Sequence, residues 1–95
     1  MIAVYYFTAD WCNPCKKTRP IVEEINRETD TKFQIIDVDS EMELVKRFEI
    51  RSVPTFILLK DGIEIKRITG AQTREQLEDF INYEKNIQDD IQPWW

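Results

Sequence analysis

The sequence contains no histidine and only two cysteines, Cys12 and Cys15, and this scarcity restricts the metal chemistry open to it. A structural zinc site takes four ligands, which come mostly from cysteine and histidine. Two lone cysteines provide no framework of structural disulfides, and in a reducing cytosol such a pair is more often catalytic than structural. We therefore predict no metal site and expect the two thiols to carry out redox chemistry.

Long apolar runs and a positive net charge are also lacking. No stretch approaches the roughly 18 apolar residues that a membrane-spanning helix needs. The 13 basic and 18 acidic residues give a net charge of −5, which opposes binding to phosphate backbones and anionic membranes. The apolar start has no preceding Lys or Arg and no cleavage site, which indicates a strand rather than a signal peptide. We expect a cytoplasmic protein that binds neither nucleic acid nor membrane.

The 95 residues predict one domain, 1–95, of which residues 88–95 form a C-terminal tail. Alternating apolar patterns predict the order β-α-β-α-β-β-α. Because the first crossover contains a helix, the first two strands should be parallel, whereas Asp61-Gly62 predicts a closing antiparallel hairpin. The expected fold class is therefore α/β, a mixed four-stranded sheet with helices on both faces.

The bounds of these elements follow from apolar periodicity and from local signals. Strands are predicted at residues 2–7, 33–38, 55–59 and 63–68. Pro14 lies near the start of the first helix, where proline is tolerated, whereas Pro20 lies inside this helix and should kink it. Capping boxes predict the starts of the second and third helices, and they pair Ser40 with Glu43 and Thr73 with Gln76. The last helix is expected to fray only past Glu84.

The segment Trp11 to Cys15 reads Trp-Cys-Asn-Pro-Cys and lies where the first strand gives way to the first helix. Free N–H groups and the helix dipole favour negative charge there, so the pKa of the Cys12 thiol should fall from about 8.5 towards neutrality. Cys15 lies one turn further on, on the same face and within bonding distance. We predict that Cys12 attacks a substrate disulfide and that Cys15 resolves the mixed disulfide.

The residues around this segment resemble the thioredoxin family. Ala9 to Lys16 is similar to the family's active-site motif, with Asn13 where glycine is usual. Pro20 falls where the family has its helix-kinking proline, and Ser52-Val53-Pro54-Thr55 resembles the loop with its cis-proline. The hairpin turn and Gly70-Ala71 match the family as well. The resemblance covers roughly residues 2–84, and the combination is far more specific than the two cysteines alone.

The resemblance implies a thioredoxin-like protein-disulfide reductase. Its substrates would be disulfide-containing proteins, its electron donor thioredoxin reductase, and its only redox group the Cys12–Cys15 disulfide, with no further cofactor. A monomer is the default expectation. Cys12 and Cys15 would be the catalytic residues. The substrate-binding residues would be Trp11 (as a partly exposed platform), Asn13, Pro14, Val53, Pro54 (after a cis peptide bond) and Gly70.

Three departures from the family carry expectations of their own. The usual first strand and helix are missing, which would expose one edge of the sheet. The family's buried acid aligns with Tyr6 and its lysine partner with Ile35, so proton transfer at Cys15 should rely on water or another carboxylate. We expect a slower or differently pH-dependent resolving step. The tail ends in Trp94-Trp95, for which folding back onto the domain is favoured over disorder or partner binding.

Five residues near the site have two interpretations each. Tyr6 is expected in the core, although its hydroxyl could also reach the thiols. Asp10 and Lys16 are either solvated charges or a modest electrostatic influence on Cys12. Asp37 and Asp39 are expected to be solvated or to cap the turn after the second strand.

Two other functions stay open. A glutaredoxin-like, glutathione-dependent reductase would also use Val53-Pro54, but that family usually lacks the tryptophan before the first cysteine and carries a Gly-Gly pair that is absent here. A thioredoxin-fold accessory subunit would serve by binding a partner, and only the aromatic tail hints at that role. Glutathione-dependent turnover and a variant lacking both cysteines would separate these functions from disulfide reduction.

Overall fold

The structure, a computed structural model, describes residues 2–83. The predicted tail of residues 88–95, including Trp94-Trp95, lies outside the described residues. The elements follow the predicted order. They are β1 (Ile2–Thr8), α1 (Asn13–Glu28), β2 (Phe33–Asp37), α2 (Met42–Arg47), β3 (Thr55–Lys60), β4 (Ile63–Thr69) and α3 (Arg74–Ile81).

The four described strands form one mixed sheet in the order β2-β1-β3-β4. β1 pairs with β2 in parallel, because the 16-residue helix α1 carries the chain back to the same end of the sheet. β3 pairs antiparallel with both β1 and β4, and the β3–β4 hairpin turns at Asp61 and Gly62 as predicted. The predicted mixed sheet is thus confirmed, and β1 is one of its two central strands.

Alternating side chains of β1 and β3 face two separate cores. One core lies under α1 and α3, and its buried members are Val4, Tyr6, Val22, Ile25, Phe33, Phe56, Leu58, Leu77 and Phe80. The other lies under α2 and contains Phe7, Ile36, Phe48, Ile57 and Leu59. Helices therefore cover both faces, as predicted, and the central strands are fixed from above and below.

Helix α1 begins directly at the cysteine motif. Cys12 is its N-cap, with an extended backbone, and Pro14 lies in the first turn, where a missing N–H costs no hydrogen bond. Its buried side chains, at Cys15, Thr18, Val22 and Ile25, recur with helical spacing and face the sheet. The helix continues through Pro20 to Glu28, and the kink expected there stays a prediction.

One of the two predicted capping boxes is wrong. The N-cap of α2 is Glu41, which makes no side-chain capping bond. Ser40 instead belongs to the turn after β2, because the Asp37 carbonyl accepts hydrogen bonds from the backbone N–H groups of Ser40 and Glu41. The capping-box pattern in the sequence does not reveal this earlier turn. The turn shifts the N-cap from Ser40 to the next residue.

The other box, at the start of α3, is confirmed. The Thr73 hydroxyl accepts from the Gln76 N–H at 3.1 Å, and the Gln76 side-chain oxygen accepts from the Thr73 N–H at 2.8 Å. α3 runs to Ile81 with Asn82 as its C-cap, and the fraying expected past Glu84 lies outside the described residues.

The two boxes allow a matched test of capping. Thr73→Ala should lower the free energy of unfolding by about 1 kcal/mol, because it leaves the Gln76 N–H without its partner. Ser40→Ala should change it by less than about 0.5 kcal/mol, because Ser40 caps nothing. Urea unfolding followed by circular dichroism measures both changes. Equal losses in the two variants would contradict the assignment of the caps.

Candidate active site

Cys12 lies at the positive end of α1. Its sulfur accepts a hydrogen bond from the backbone N–H of Cys15 at 3.2 Å, and its own N–H bonds to the Ala9 carbonyl at 3.2 Å, which closes the turn after β1. Amide donors and the helix dipole at this position favour a thiolate over a thiol. The local structure therefore provides the environment that the sequence predicted for a nucleophilic cysteine.

The two sulfurs are joined in a disulfide between Cys12 and Cys15, whose Cα atoms are 5.2 Å apart. Both cysteines are buried. Cys12 lies at the N-cap of α1 and Cys15 one turn into the helix, so the two sulfurs can exchange a bond with each other. A dithiol in this arrangement can carry out thiol–disulfide exchange.

The loop before β3 faces the disulfide. The Val53–Pro54 peptide bond is cis, as expected from the motif, and the Val53 carbonyl oxygen lies 3.6 Å from Cys12 Sγ. The Pro54 carbonyl accepts a hydrogen bond from the Gly70 N–H at 2.8 Å. Gly70 has a φ of +88°, a conformation that favours glycine. Three predicted substrate-binding residues are therefore brought together next to Cys12.

The other predicted binding residues flank the disulfide on the outside. Asn13 and Pro14 form the exposed first turn of α1. Trp11 leaves 66% of its surface exposed, and its indole N–H donates to Asp39 Oδ2 at 3.0 Å. This bond holds a large aromatic surface beside Cys12, which agrees with the expected exposed platform.

Asp39 is a site residue whose partner the sequence did not reveal. Asp39 is exposed, as expected, and Asp37 Oδ1 caps the turn by accepting its backbone N–H at 2.8 Å, but the Asp39 carboxylate also holds the Trp11 indole. A signal did exist in the predicted fold. Asp39 follows β2 and Trp11 follows β1, and the ends of neighbouring parallel strands lie at the same edge of a sheet.

An apolar pocket of about 220 Å³ opens between Trp11 and Val53. Its wall is completed by side chains from the turn after β2, from α2 and from the loop after α2, among them Val38, Val45 and Ile50. None of these three residues was predicted as part of the site. The pocket lies beside the disulfide, and it can accept an apolar side chain next to a reacting sulfur.

Tyr6 occupies the place where the family has its buried acid. Its ring is fully buried and stacks on Phe56 with the ring centroids 4.8 Å apart, which agrees with the core position expected for it. Its hydroxyl donates to the backbone carbonyl of Cys15 at 3.2 Å, so it reaches the backbone of the resolving cysteine. Burial raises the pKa of Tyr6 above its ordinary value of 10.0, so the hydroxyl stays protonated at neutral pH.

A second, smaller cavity of 110 Å³ lies on the other side of Cys15. Its lining residues are Thr8, Ala9, Asp10, Cys15, Lys16 and Arg19. Asp10 and Lys16 are exposed, so this cavity connects the buried cysteine with a charged surface. Asp10 and Lys16, for which the sequence left two interpretations, thus line the same cavity as Cys15.

Residues 2–83 were predicted to hold neither a metal site nor a membrane-spanning helix. Within this range no group of three or more His, Cys, Asp or Glu residues is arranged to hold a metal ion. None of the described helices is both long and apolar enough to cross a bilayer.

The chain is similar to many thioredoxins in sequence. The family model described as Thioredoxin matches residues 1–83. A thioredoxin from Mycobacterium tuberculosis is 45% identical over 73 residues, which cover 75% of this chain and 63% of that protein. A thioredoxin from Bacillus subtilis is 37% identical over 78 residues, covering 80% of this chain and 75% of the relative. The match thus spans less than two-thirds of the mycobacterial relative's length.

Solved structures agree with the sequence relatives. A mutant thioredoxin from Halobacterium salinarum NRC-1 superposes with a TM-score of 0.79 at 35% identity, over 86% of this chain and 73% of the other. Thioredoxin from Fasciola hepatica gives a TM-score of 0.79 at 34% identity, over 86% and 79%. Both the predicted α/β fold and the resemblance noted in the sequence are therefore confirmed: the chain belongs to the thioredoxin family.

Proposed function

We propose that the chain is a protein-disulfide reductase that works by thiol–disulfide exchange, with Cys12 as the nucleophile and Cys15 as the resolving cysteine. The hydrogen bond from the Cys15 N–H to Cys12 Sγ carries this proposal, because it places an amide donor where a thiolate must form. Family membership and the Cys12–Cys15 disulfide support it further. The disulfide is the only redox group that the mechanism uses, and no further cofactor takes part.

The reaction proceeds in two exchanges. The Cys12 thiolate attacks one sulfur of a substrate disulfide, the substrate S–S bond breaks, and a mixed disulfide forms as the first substrate thiolate leaves. Cys15 then loses its proton and attacks the Cys12 sulfur, which forms the Cys12–Cys15 disulfide and releases the second substrate thiolate. Two electrons pass to the substrate, and thioredoxin reductase returns the protein to the dithiol.

The surface around Cys12 suits a protein substrate. The Val53 carbonyl lies at the sulfur, the Gly70 N–H bonds to the Pro54 carbonyl of the same loop, and Trp11 supplies an aromatic face. Asn13 and Pro14 form the opposite rim, on the exposed first turn of α1. The 220 Å³ pocket takes an apolar side chain near the substrate cysteine. We propose that disulfide-containing proteins bind here to a monomer of this chain in the cytoplasm.

The two cysteines should fail in different ways when replaced. Cys12→Ser should abolish reduction of a disulfide substrate such as insulin, because it removes the attacking sulfur. Cys15→Ser should also stop turnover but should trap a covalent mixed disulfide, visible by mass spectrometry without reductant. An adduct trapped on Cys15 in the Cys12→Ser variant, together with no adduct on Cys12 in the Cys15→Ser variant, would reverse the assigned roles.

The electron donor separates this function from the glutathione-dependent alternative. The oxidised protein should be reduced by thioredoxin reductase with NADPH. Reduced glutathione should support insulin reduction at least about tenfold more slowly, because glutathione, unlike the reductase, does not bind this chain through a complementary surface. NADPH consumption in the two coupled assays measures this. Faster turnover with glutathione would place the chain with glutaredoxin-like enzymes in function.

Replacing Tyr6 by aspartate should alter the pH dependence of the resolving step. In Tyr6→Asp a buried carboxyl has a raised pKa, so near neutrality it becomes a base close to Cys15. The rate of the second exchange should gain an inflection near neutral pH. Tyr6→Asn is the matched control, because it loses the same ring without adding a titrating group. Identical pH profiles for the two variants would contradict a role for an acid at this position.

A further inference from the structure

The resolving step requires a proton to leave a buried thiol. Cys15 is only 2% exposed, and it must become a thiolate before it attacks Cys12. Tyr6, whose hydroxyl forms a hydrogen bond to the Cys15 carbonyl, has a raised pKa and keeps its proton at neutral pH. Its register neighbour on β2 is Ile35, which has no titrating group. The proton of Cys15 therefore needs an acceptor outside the core.

The 110 Å³ cavity next to Cys15 offers a route. Its volume of about 110 Å³ is well above the roughly 10–15 Å³ that one water molecule needs in a cavity, so it has room for several water molecules. Polar groups on its wall, namely the Thr8 hydroxyl and the charged side chains, provide the hydrogen-bond partners that ordered water needs. A short chain of water can thus connect Cys15 with the surface.

The cavity wall contains one carboxylate, that of Asp10. The other charged side chains on the wall, Lys16 and Arg19, are hydrogen-bond donors only. Within residues 2–83 this carboxylate makes no hydrogen bond or ion pair, so its oxygen atoms are free to accept. Its exposed position also allows it to pass the proton on to solvent.

Other charged groups face the cysteine pair less directly. Glu23 on α1 pairs with Arg19 at 3.2 Å, and Asp39 on the opposite side of the disulfide is bonded to Trp11. The loop before β3 presents Val53 and Pro54, which do not titrate. No second carboxylate among the described residues lines the cavity.

We propose that Asp10 accepts the proton of Cys15 through water in this cavity and is thereby a positioning residue for the resolving step. The inference rests on the proposed disulfide reduction. The proton passes from the Cys15 thiol to cavity water and on to the Asp10 carboxylate, the new S–S bond forms at Cys12, and the departing substrate thiolate takes its own proton from solvent. Asp10 then returns its proton to solvent.

The direction in which Asp10→Asn changes the rate of the resolving step separates this role from a purely electrostatic one. Asp10→Asn removes a negative charge near Cys15, and electrostatics alone would make the thiolate easier to form and the resolving step faster. Loss of a proton acceptor would make it slower. Because the two roles predict opposite changes, a rate measurement decides between them.

A single assay follows both exchanges. The reduced protein is mixed with the disulfide of 5-thio-2-nitrobenzoate, and release of the coloured thiol is recorded by stopped flow across a range of pH. The first phase reports attack by Cys12, and the second reports attack by Cys15 on the mixed disulfide. Asp30→Asn, at an exposed position just beyond the far end of α1, is the control with the same change in net charge.

Asp10→Asn should slow the second phase about tenfold at neutral pH, which is less than a direct general base contributes because water intervenes. Asp10→Glu should restore most of the rate, and the first phase should stay within about twofold in every variant. An unchanged or faster second phase in Asp10→Asn, or an equal loss in Asp30→Asn, would overturn the inference. Absence of the first phase in the unmodified protein would instead refute the proposed reductase activity.

Discussion

The hydrogen bond from the Cys15 N–H to Cys12 Sγ is the contact on which the site depends. It exists because α1 begins at the residue that carries the first sulfur, with Cys12 in the N-cap position. A backbone N–H at a helix start has no acceptor within the helix, so the Cys12 sulfur serves as its acceptor. The same N–H in turn favours a negative charge on the sulfur. Structure and reactivity at this point are therefore two consequences of one backbone geometry.

The sheet explains why the facing loop arrives at the same place. β3 runs antiparallel to β1, and Thr55 at its start is the partner of Phe7 near the end of β1. Thr69 at the end of β4 is in turn the partner of Thr55. The loop before β3 and Gly70 after β4 must consequently meet where α1 begins. Strand register alone brings together residues that are about forty to sixty positions apart in the sequence.

The sequence predicted element order, strand pairing and the cysteine site because these depend on local periodicity and on a motif within five residues. The prediction was wrong at Ser40, because the Asp37 carbonyl accepts the Ser40 N–H in a turn and the helix begins after Glu41 instead. It also missed the bond between Trp11 and Asp39, which are 28 positions apart and meet only after β1 and β2 pair. The Val38 and Ile50 pocket required the packed structure for the same reason.

The pair Tyr6 and Ile35 shows why the two departures from the family pattern belong together. They are register partners on β1 and β2, so a buried carboxylate at position 6 would face an uncharged neighbour across the strand pair. An unpaired charge in the core is costly, whereas Tyr6 stacks on Phe56 and satisfies its hydroxyl at the Cys15 carbonyl. A tyrosine at this position gives the core packing that a buried carboxylate would not. In the proposed mechanism Cys15 still exchanges a proton, and we assign that step to the cavity beside Cys15, where charged side chains need no buried partner.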